Sequence, residues 1–193
     1  SSEFEYLLEK NCIILDVRSK LDFSRSHIPK SLFIGLEGNF APWVGSVIGD
    51  IKTPILLVTE KNKEIETIKR LARVGFDNIL GYLSDGIESW VKNGREIDSI
   101  KNVSADEILS KPLEIIDVRT PAEYLKKHVK NSINLPLNNY KKNKLKTLSN
   151  NPFYVHCQSG YRSLIYLSIL KKSGIHSGLN VTGGFKSIEK LLD

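Results

Sequence analysis

The sequence predicts two α/β domains in tandem, each a mostly parallel central sheet with helices on both faces. Three observations carry the prediction. Short, bare apolar runs at 13–17, 54–59, 113–118 and 152–156 alternate with helical periodicities such as Ile65, Ile68, Leu71 and Ala72. Such runs suit strands buried on both faces, and strands alternating with helices imply crossover connections and a parallel sheet. The chain also repeats itself: Ile14-Leu15-Asp16-Val17-Arg18-Ser19 recurs as Ile115-Ile116-Asp117-Val118-Arg119-Thr120, an offset of 101 that carries on through Asp22-Phe23 and Glu123-Tyr124 to His27-Ile28 and His128-Val129. Finally, 193 residues divide comfortably into two domains, since domains commonly run about 100 to 200 residues.

Taken in order, the first copy is expected over residues 1–98 and the second over 99–193. Each opens on a helix-entry signal, Ser2-x-x-Glu5 and Ser104-x-x-Glu107, in which the two side chains satisfy each other's exposed amides. Matching Val58 to Val155 lowers the offset to 97, so the first copy carries extra residues, expected around Phe40-Ala41-Pro42-Trp43-Val44-Gly45. Trp43 reads either as local core or as an interface anchor. The polar, glycine-containing stretch Asn93-Gly94-Arg95-Glu96-Ile97-Asp98-Ser99 is expected to be a linker.

Composition narrows the function. No apolar stretch reaches the ~18 to 20 residues of a bilayer crossing, and no export signal is visible, so a cytoplasmic protein is expected. Two cysteines are too few for a disulfide scaffold, and scattered histidines give no zinc-ligand spacing, so no metal site is expected. Residues 1–100 hold 13 Lys/Arg against 15 Asp/Glu, a net −2, whereas 101–193 hold 15 against 7, a net +8. That basic half suits small anionic substrates; with no aromatic-rich basic strand, nucleic acid binding is not expected. The cluster Lys141, Lys142, Lys144 and Lys146 reads as a solvated surface or as substrate steering. The chain lacks methionine altogether, which suggests a piece of something longer.

One strand end carries chemistry. The run ending at His156 is followed by Cys157-Gln158-Ser159-Gly160-Tyr161-Arg162 and then an apolar helical segment beginning at Ser163. In parallel sheets ligands bind beyond the carboxyl ends of strands. A cysteine there faces free loop amides and the positive end of a helix, both of which favour thiolate over thiol. Gly160 lets the backbone curl into an anion nest, and Arg162 adds a cation to the rim or the loop frame. Cys12 begins a strand rather than ending one and reads as core.

These residues, together with Asp117-Val118-Arg119, Glu123-Tyr124, His128-Val129, Asn134-Leu135-Pro136 and Gly183-Gly184-Phe185, resemble a tandem pair of rhodanese (sulfurtransferase) domains. The resemblance implies a ping-pong transfer with no cofactor: Cys157 takes sulfane sulfur from thiosulfate or a low-molecular-weight persulfide and passes it to a thiol or cyanide. It implies substrate contacts from Gln158, Ser159, Gly160, Tyr161, Ser163 and Arg119, with Arg162 beside the nucleophile. Asp117 and Arg119 are expected to brace the loop, to contact the donor, or to form a structural ion pair. His128 is expected to be a structural hydrogen-bonder, since His27 persists in the first copy, and His156 is expected to point away from the nucleophile. Phosphatase or arsenate reductase relatives carry one more residue between Cys and Arg than the four found here, and a non-catalytic binding or sulfur-carrier module is the rival from another class.

The Val58 to Val155 match puts Glu60 in the place of Cys157, with the glycine and the arginine also missing, so the first copy is expected to be inert. Glu60 is expected either to point to solvent or to fill the anion cradle with its own carboxylate. The stretch from Asn39 to Gly45, with Leu71-Ala72-Arg73-Val74-Gly75-Phe76-Asp77 and Gly81-Tyr82-Leu83, resembles the degenerate rhodanese of fusions in which a metallo-β-lactamase-fold persulfide dioxygenase precedes two rhodanese domains. That implies an iron-dependent domain upstream as a partner, and leaves homo-oligomers open.

Overall fold

A computed structural model of the chain describes residues 2–141 and 151–192. It divides into two compact units, Ser1–Ser99 and Ile100–Asp193.

The first unit runs α1 (Ser2–Leu8), β1 (Ile13–Asp16), α2 (Lys20–Arg25), β2 (Leu32–Phe33), α3 (Phe40–Ile48), β3 (Ile55–Val58), α4 (Glu64–Ala72), β4 (Ile79–Tyr82) and α5 (Gly86–Lys92). Its described strands pair in parallel in the order β2-β1-β3-β4. Every residue of β3 is wholly buried, as a central parallel strand covered on both faces must be. The stretch expected to hold the extra residues, Phe40 to Gly45, lies in α3, which admits Pro42 because a first helical turn has no amide partner to lose. Trp43 is half-buried there.

The second unit runs β5 (Asn102–Val103), α6 (Ala105–Ser110), β6 (Glu114–Asp117), α7 (Pro121–Lys126), β7 (Ile133–Asn134), a 3-10 turn (Leu137–Asn139), β8 (Phe153–His156), α8 (Tyr161–Lys172), β9 (Gly178–Val181) and α9 (Phe185–Glu189). These strands are again parallel, in the order β5-β9-β8-β6-β7. Four match the first sheet in sequence and order, and β5 is added beyond β9. Residues Ser163 to Lys171 of α8 are all buried.

Two expectations need correction, and a third lies mostly outside the described residues. Ser104 does stand at the start of α6 but makes no side-chain capping bond. The reciprocal cap forms instead at α7, where Thr120 accepts from the Glu123 amide and Glu123 accepts from the Thr120 amide. The expected linker is stitched into the first unit: Asp98 exchanges backbone hydrogen bonds with His27, at 2.8 and 2.9 Å, and the Trp90 indole donates to the Glu96 carbonyl. Lastly, of the lysine cluster only Lys141 is described; Lys142, Lys144 and Lys146 lie outside the described residues.

Leu57 has no exposed surface and lies in the interior strand β3. Leu57→Ala should cost about 2 to 5 kcal/mol, the range for emptying a leucine-sized site, as a shift of the urea midpoint with an unchanged slope for the first unit.

Candidate active site

β8 delivers Cys157 to the carboxyl edge of the second sheet, beside the end of β6, where Asp117 and His156 are register partners. The thiol is 1% exposed. Only four residues, Cys157 to Gly160, separate β8 from α8, so Tyr161 and Arg162 belong to the helix's first turn and not to the loop. Gly160 caps α8 with φ of 89°, a left-handed backbone that a side chain rarely tolerates, and its amide donates to the Cys157 Sγ at 3.1 Å. The twelve-residue helix behind it brings the positive end of its dipole to the sulfur. The Ser163 hydroxyl stands 3.7 Å from Sγ.

The loop is held from outside. The Cys157 carbonyl accepts from the Phe185 amide at 2.7 Å, and the Gln158 carbonyl accepts from the Lys186 amide at 3.2 Å. These contacts need Gly184: a Cβ there would sit 2.8 Å from the Gln158 carbonyl carbon and the Ser159 nitrogen.

Arg119 is 2% exposed and its ion pair with Asp117 is wholly interior. Its guanidinium donates to both Asp117 oxygens, to the Lys127 carbonyl at 2.9 Å and to Gln158 Oε1 at 3.3 Å, and it lies 3.8 Å over the Phe185 ring. Of the three roles open to this pair, the geometry shows it bracing the loop. Arg162 lies in the loop frame, not in the cradle: its two terminal nitrogens donate to Glu123 Oε2 and Oε1 at 2.7 and 2.6 Å. That bidentate pair, helped by the Thr120 amide and hydroxyl and opposed by partial burial, holds the Glu123 carboxyl down at about 2. Gln158 is half-buried, Ser159 is exposed at the loop tip, and Tyr161 is half-buried at the helix start.

His156 is wholly buried, with Nδ1 3.3 Å from the Cys157 carbonyl and Nε2 3.7 Å from Asp117 Oδ2, too far for a hydrogen bond. Burial pushes its pKa down, only partly opposed by Asp117, so it stays neutral at pH 7. His128 and His27 are structural: each Nδ1 meets the carbonyl four residues back, that of Tyr124 or Phe23, and each ring stacks on that same residue. Cys12 is half-buried before β1 and donates to the Leu7 carbonyl.

Sheet register corrects the reading of the first copy. β1 pairs Asp16 with Val58, whereas β6 pairs Asp117 with His156, so Val58 matches His156 and Thr59, not Glu60, occupies the place of Cys157. Thr59 is 5% exposed and, among the described residues, its hydroxyl has no hydrogen-bond partner. Glu60 therefore stands where Gln158 does. It does not fill the cradle: it is exposed, and its carboxylate accepts from the Ser19 amide at the start of α2, at 3.1 Å. One more residue separates Thr59 from α4 than separates Cys157 from α8, and Ile65, at the position of Arg162, is 62% exposed.

Glu123, Phe185 and Asn180 are parts of the site whose roles the sequence reading missed. Glu123 had a signal, the Thr120-x-x-Glu123 cap. Asn180 had none, because its partners Ser163 and Asn102 lie 17 and 78 residues away along the chain. Among the described residues no group of three or more His, Cys, Asp or Glu side chains could hold a metal ion, and no helix is long and apolar enough to cross a membrane.

The rhodanese-like domain family model matches this chain twice, over residues 1–93 and 101–191. The chain belongs to the rhodanese-like family. It is 36% identical over 73 residues, 38% of its length, to the uncharacterized protein YqhL of Bacillus subtilis. To the putative sulfur carrier protein YrkF of the same organism it is 31% identical over 111 residues, 54% of its length. It spans 58% of each of these curated relatives. Among solved structures, a rhodanese-related protein from Thermoplasma volcanium is similar at 28% identity and a TM-score of 0.43, over 47% of this chain and 92% of that one. The second rhodanese-like domain thus holds the buried cysteine at the strand end, and the first holds Thr59 there.

Two outcomes follow from this geometry. In a carbon-13 titration the Glu123 carboxyl should have its midpoint at about 2, and in Arg162→Gln it should return to the ordinary carboxylate range, since a depressed carboxylate keeps its pair until pH falls through the folded value. Gly184→Ala should push the loop off α9: alkylation of Cys157 should change rate by at least threefold, with a loss of about 1 to 3 kcal/mol of stability from the strained backbone and the contact.

Proposed function

We propose that the second rhodanese-like domain is a sulfurtransferase that works through a Cys157 persulfide. The observation that carries this reading is the Gly160 amide donating to the Cys157 sulfur at the start of α8. In the first half-reaction the Cys157 thiolate attacks the outer sulfur of thiosulfate or of a low-molecular-weight persulfide. A new S–S bond forms, the donor's own S–S bond breaks, and its electron pair leaves with sulfite or with the donor thiolate. In the second, an acceptor thiol, as thiolate, or cyanide attacks the outer sulfur of the persulfide, and Cys157 departs as thiolate. Both half-reactions pass negative charge across sulfur, which a fixed amide and a helix end stabilise without reorganising.

Gln158, Ser159 and Tyr161 offer donor contacts at the mouth, and the net +8 of residues 101–193 draws anionic donors. The brace of Arg119 and Asp117 and the Arg162–Glu123 pair keep the loop in shape. The first domain, with threonine in the cysteine's place, is proposed to be inert. The finer resemblance of residues 39–45, 71–77 and 81–83 supports a proposal that the pair works beside an upstream iron-dependent persulfide dioxygenase domain. A passive sulfur-carrier role is the second reading, favoured by the likeness to a putative sulfur carrier.

Intact mass spectrometry separates these readings. After thiosulfate or glutathione persulfide, the protein should gain one sulfur atom, absent in Cys157→Ala, and cyanide or a thiol should discharge it over many turnovers. A single discharge without turnover would favour the carrier, and no adduct from either donor would sink both.

A further inference from the structure

The first domain has a cavity of about 180 Å³ beyond the carboxyl ends of β1 and β3, the edge at which parallel sheets hold their ligands. Val17 and Leu36 give it an apolar wall, and five charged side chains line it: Glu37, Glu60 and Glu66 against Lys63 and Arg70. The two cations share one carboxylate, with Glu66 2.7 Å from Lys63 Nζ and 3.6 Å from an Arg70 nitrogen. Arg70 is held in place by its bond to the Leu36 carbonyl at 2.9 Å and by the Phe40 ring, 5.1 Å away. Glu37 and Glu60 have no cation at ion-pair distance among the described residues. Glu66 and, more weakly, Glu60 and Glu37 push the Lys63 pKa up, so the lysine stays charged. Charge is therefore sorted across the cavity: two cations with one carboxylate around α4, and two carboxylates without a cation on the loops after β2 and β3.

The second domain shows that the fold does not call for these charges. Its helix α8 has no charged residue from Ser163 to Leu170, and that span is buried, whereas α4 carries Glu66 and Arg70. Sheet register puts Gln158 in the place of Glu60. Leu36 and Leu137 donate alike to the carbonyls of Val17 and Val118, which puts Asn138 in the place of Glu37. A further polar group at this strand end lacks a partner: the Thr59 hydroxyl, directly before Glu60, is in a residue 5% exposed and makes no hydrogen bond among the described residues. A buried hydroxyl left unpaired costs stability unless something meets it.

We propose that the first domain is a binding site for a small free α-amino acid, of the size of serine or cysteine, taken up as its zwitterion. The ammonium group donates to the carboxylates of Glu37 and Glu60, and the carboxylate accepts from Lys63 and Arg70. The side chain's hydroxyl or thiol meets Thr59, and its methylene lies against Val17 and Leu36. Size sets the class: the cavity is well below the ~300 Å³ at which pockets for drug-sized ligands begin. At ~30 Å³ for each water it holds roughly six waters' worth, which is room for one small amino acid and not for a peptide or a nucleotide. A plain anion would meet the two uncompensated carboxylates, and a plain amine would leave the two cations with one carboxylate between them. A zwitterion answers both ends.

The test is a nitrogen-15 NMR titration of the full chain with L-serine, L-alanine, ethanolamine and 3-hydroxypropionate, and of Cys157→Ala with L-cysteine, so that the second domain's thiol takes no part. Serine or cysteine should bind one to one with a Kd of about 0.01 to 1 mM, the range for so few ligand atoms. The amides of Glu37, Glu60 and Lys63 should shift while those of α8 stay in place. Ethanolamine, which lacks the carboxylate, and 3-hydroxypropionate, which lacks the ammonium, should each bind at least roughly tenfold more weakly, the loss of one charged hydrogen-bonded end. Glu37→Gln and Lys63→Gln change exposed side chains and should weaken serine at least about threefold. Thr59→Val should erase the preference for serine over alanine. A preference for cysteine or for serine decides between the two side chains and supports the site in either case. No shift at those amides with either amino acid, equal binding of ethanolamine and serine, or an unaltered serine affinity in both Gln variants would overturn the proposal. None of these readings involves sulfur transfer, so a protein that takes no sulfur from either donor leaves the proposal standing.

Discussion

The loop that carries Cys157 in the second domain depends on two backbone hydrogen bonds from the start of α9. By accepting from the Phe185 and Lys186 amides, the carbonyls of Cys157 and Gln158 are turned away from the sulfur. The chain then curls back through Gly160, whose amide is left facing Sγ. Only glycine fits at 184, where the loop backbone passes closest. The remaining supports fix the same loop from other directions: Arg119 holds Gln158 from the β6 side, and Arg162 ties the first turn of α8 to Glu123 on α7. Short-range backbone geometry thus sets the cradle, and side-chain ion pairs keep it from relaxing.

The two copies separate what the fold requires from what the site requires. Both keep a buried Asp–Arg pair at the end of the second-innermost strand, Asp16–Arg18 and Asp117–Arg119, with the guanidinium also reaching a carbonyl after the next helix, that of Ser26 or Lys127. Removing one partner would leave an unpaired interior charge at a cost of about 3 to 5 kcal/mol, a cost that falls equally on the copy without the cysteine. Both also keep a serine that closes the turn before the short strand, Ser31 to Ile28 and Ser132 to Val129. At the strand end the copies differ in threonine for cysteine, one more loop residue, and a glutamate that accepts from the Ser19 amide at the start of α2. In the first domain the Glu60 carbonyl accepts from Lys63, within its own loop, and the lysine rather than a glycine precedes α4.

Much of this was legible in the sequence because it is local or repeated. The alternation of apolar runs with helical periods gave two parallel sheets, and a cysteine between a strand and a helix marked the site. The alignment of Val58 with Val155 failed by one residue for a physical reason. Strands buried on both faces have no alternation of apolar and polar residues, so a slip of one leaves their pattern unchanged, and only the pairing with Asp16 and Asp117 fixes the register. Ser104-x-x-Glu107 matched a helix start but not a cap, since the pattern states composition and not side-chain direction. The Arg162–Glu123 and Ser163–Asn180 contacts join residues 39 and 17 positions apart, which no local spacing reveals.

Charge accounting around the sulfur shows why neutral groups matter there. Arg119 and Arg162 are the guanidinium groups that frame the loop, yet each is already matched by a carboxylate, Asp117 or Glu123. His156, the residue next to Cys157, is kept neutral by burial. A cation so paired exerts a much weaker field on a third group than a bare one, because its partner's field opposes it. The Gly160 amide, the first turn of α8 and the hydroxyl of Ser163 add dipoles to the charge coupling that Arg162 keeps with Cys157. The first two are fixed by the backbone. The hydroxyl also donates to the buried Asn180 amide, which in turn donates to Asn102 on the edge strand.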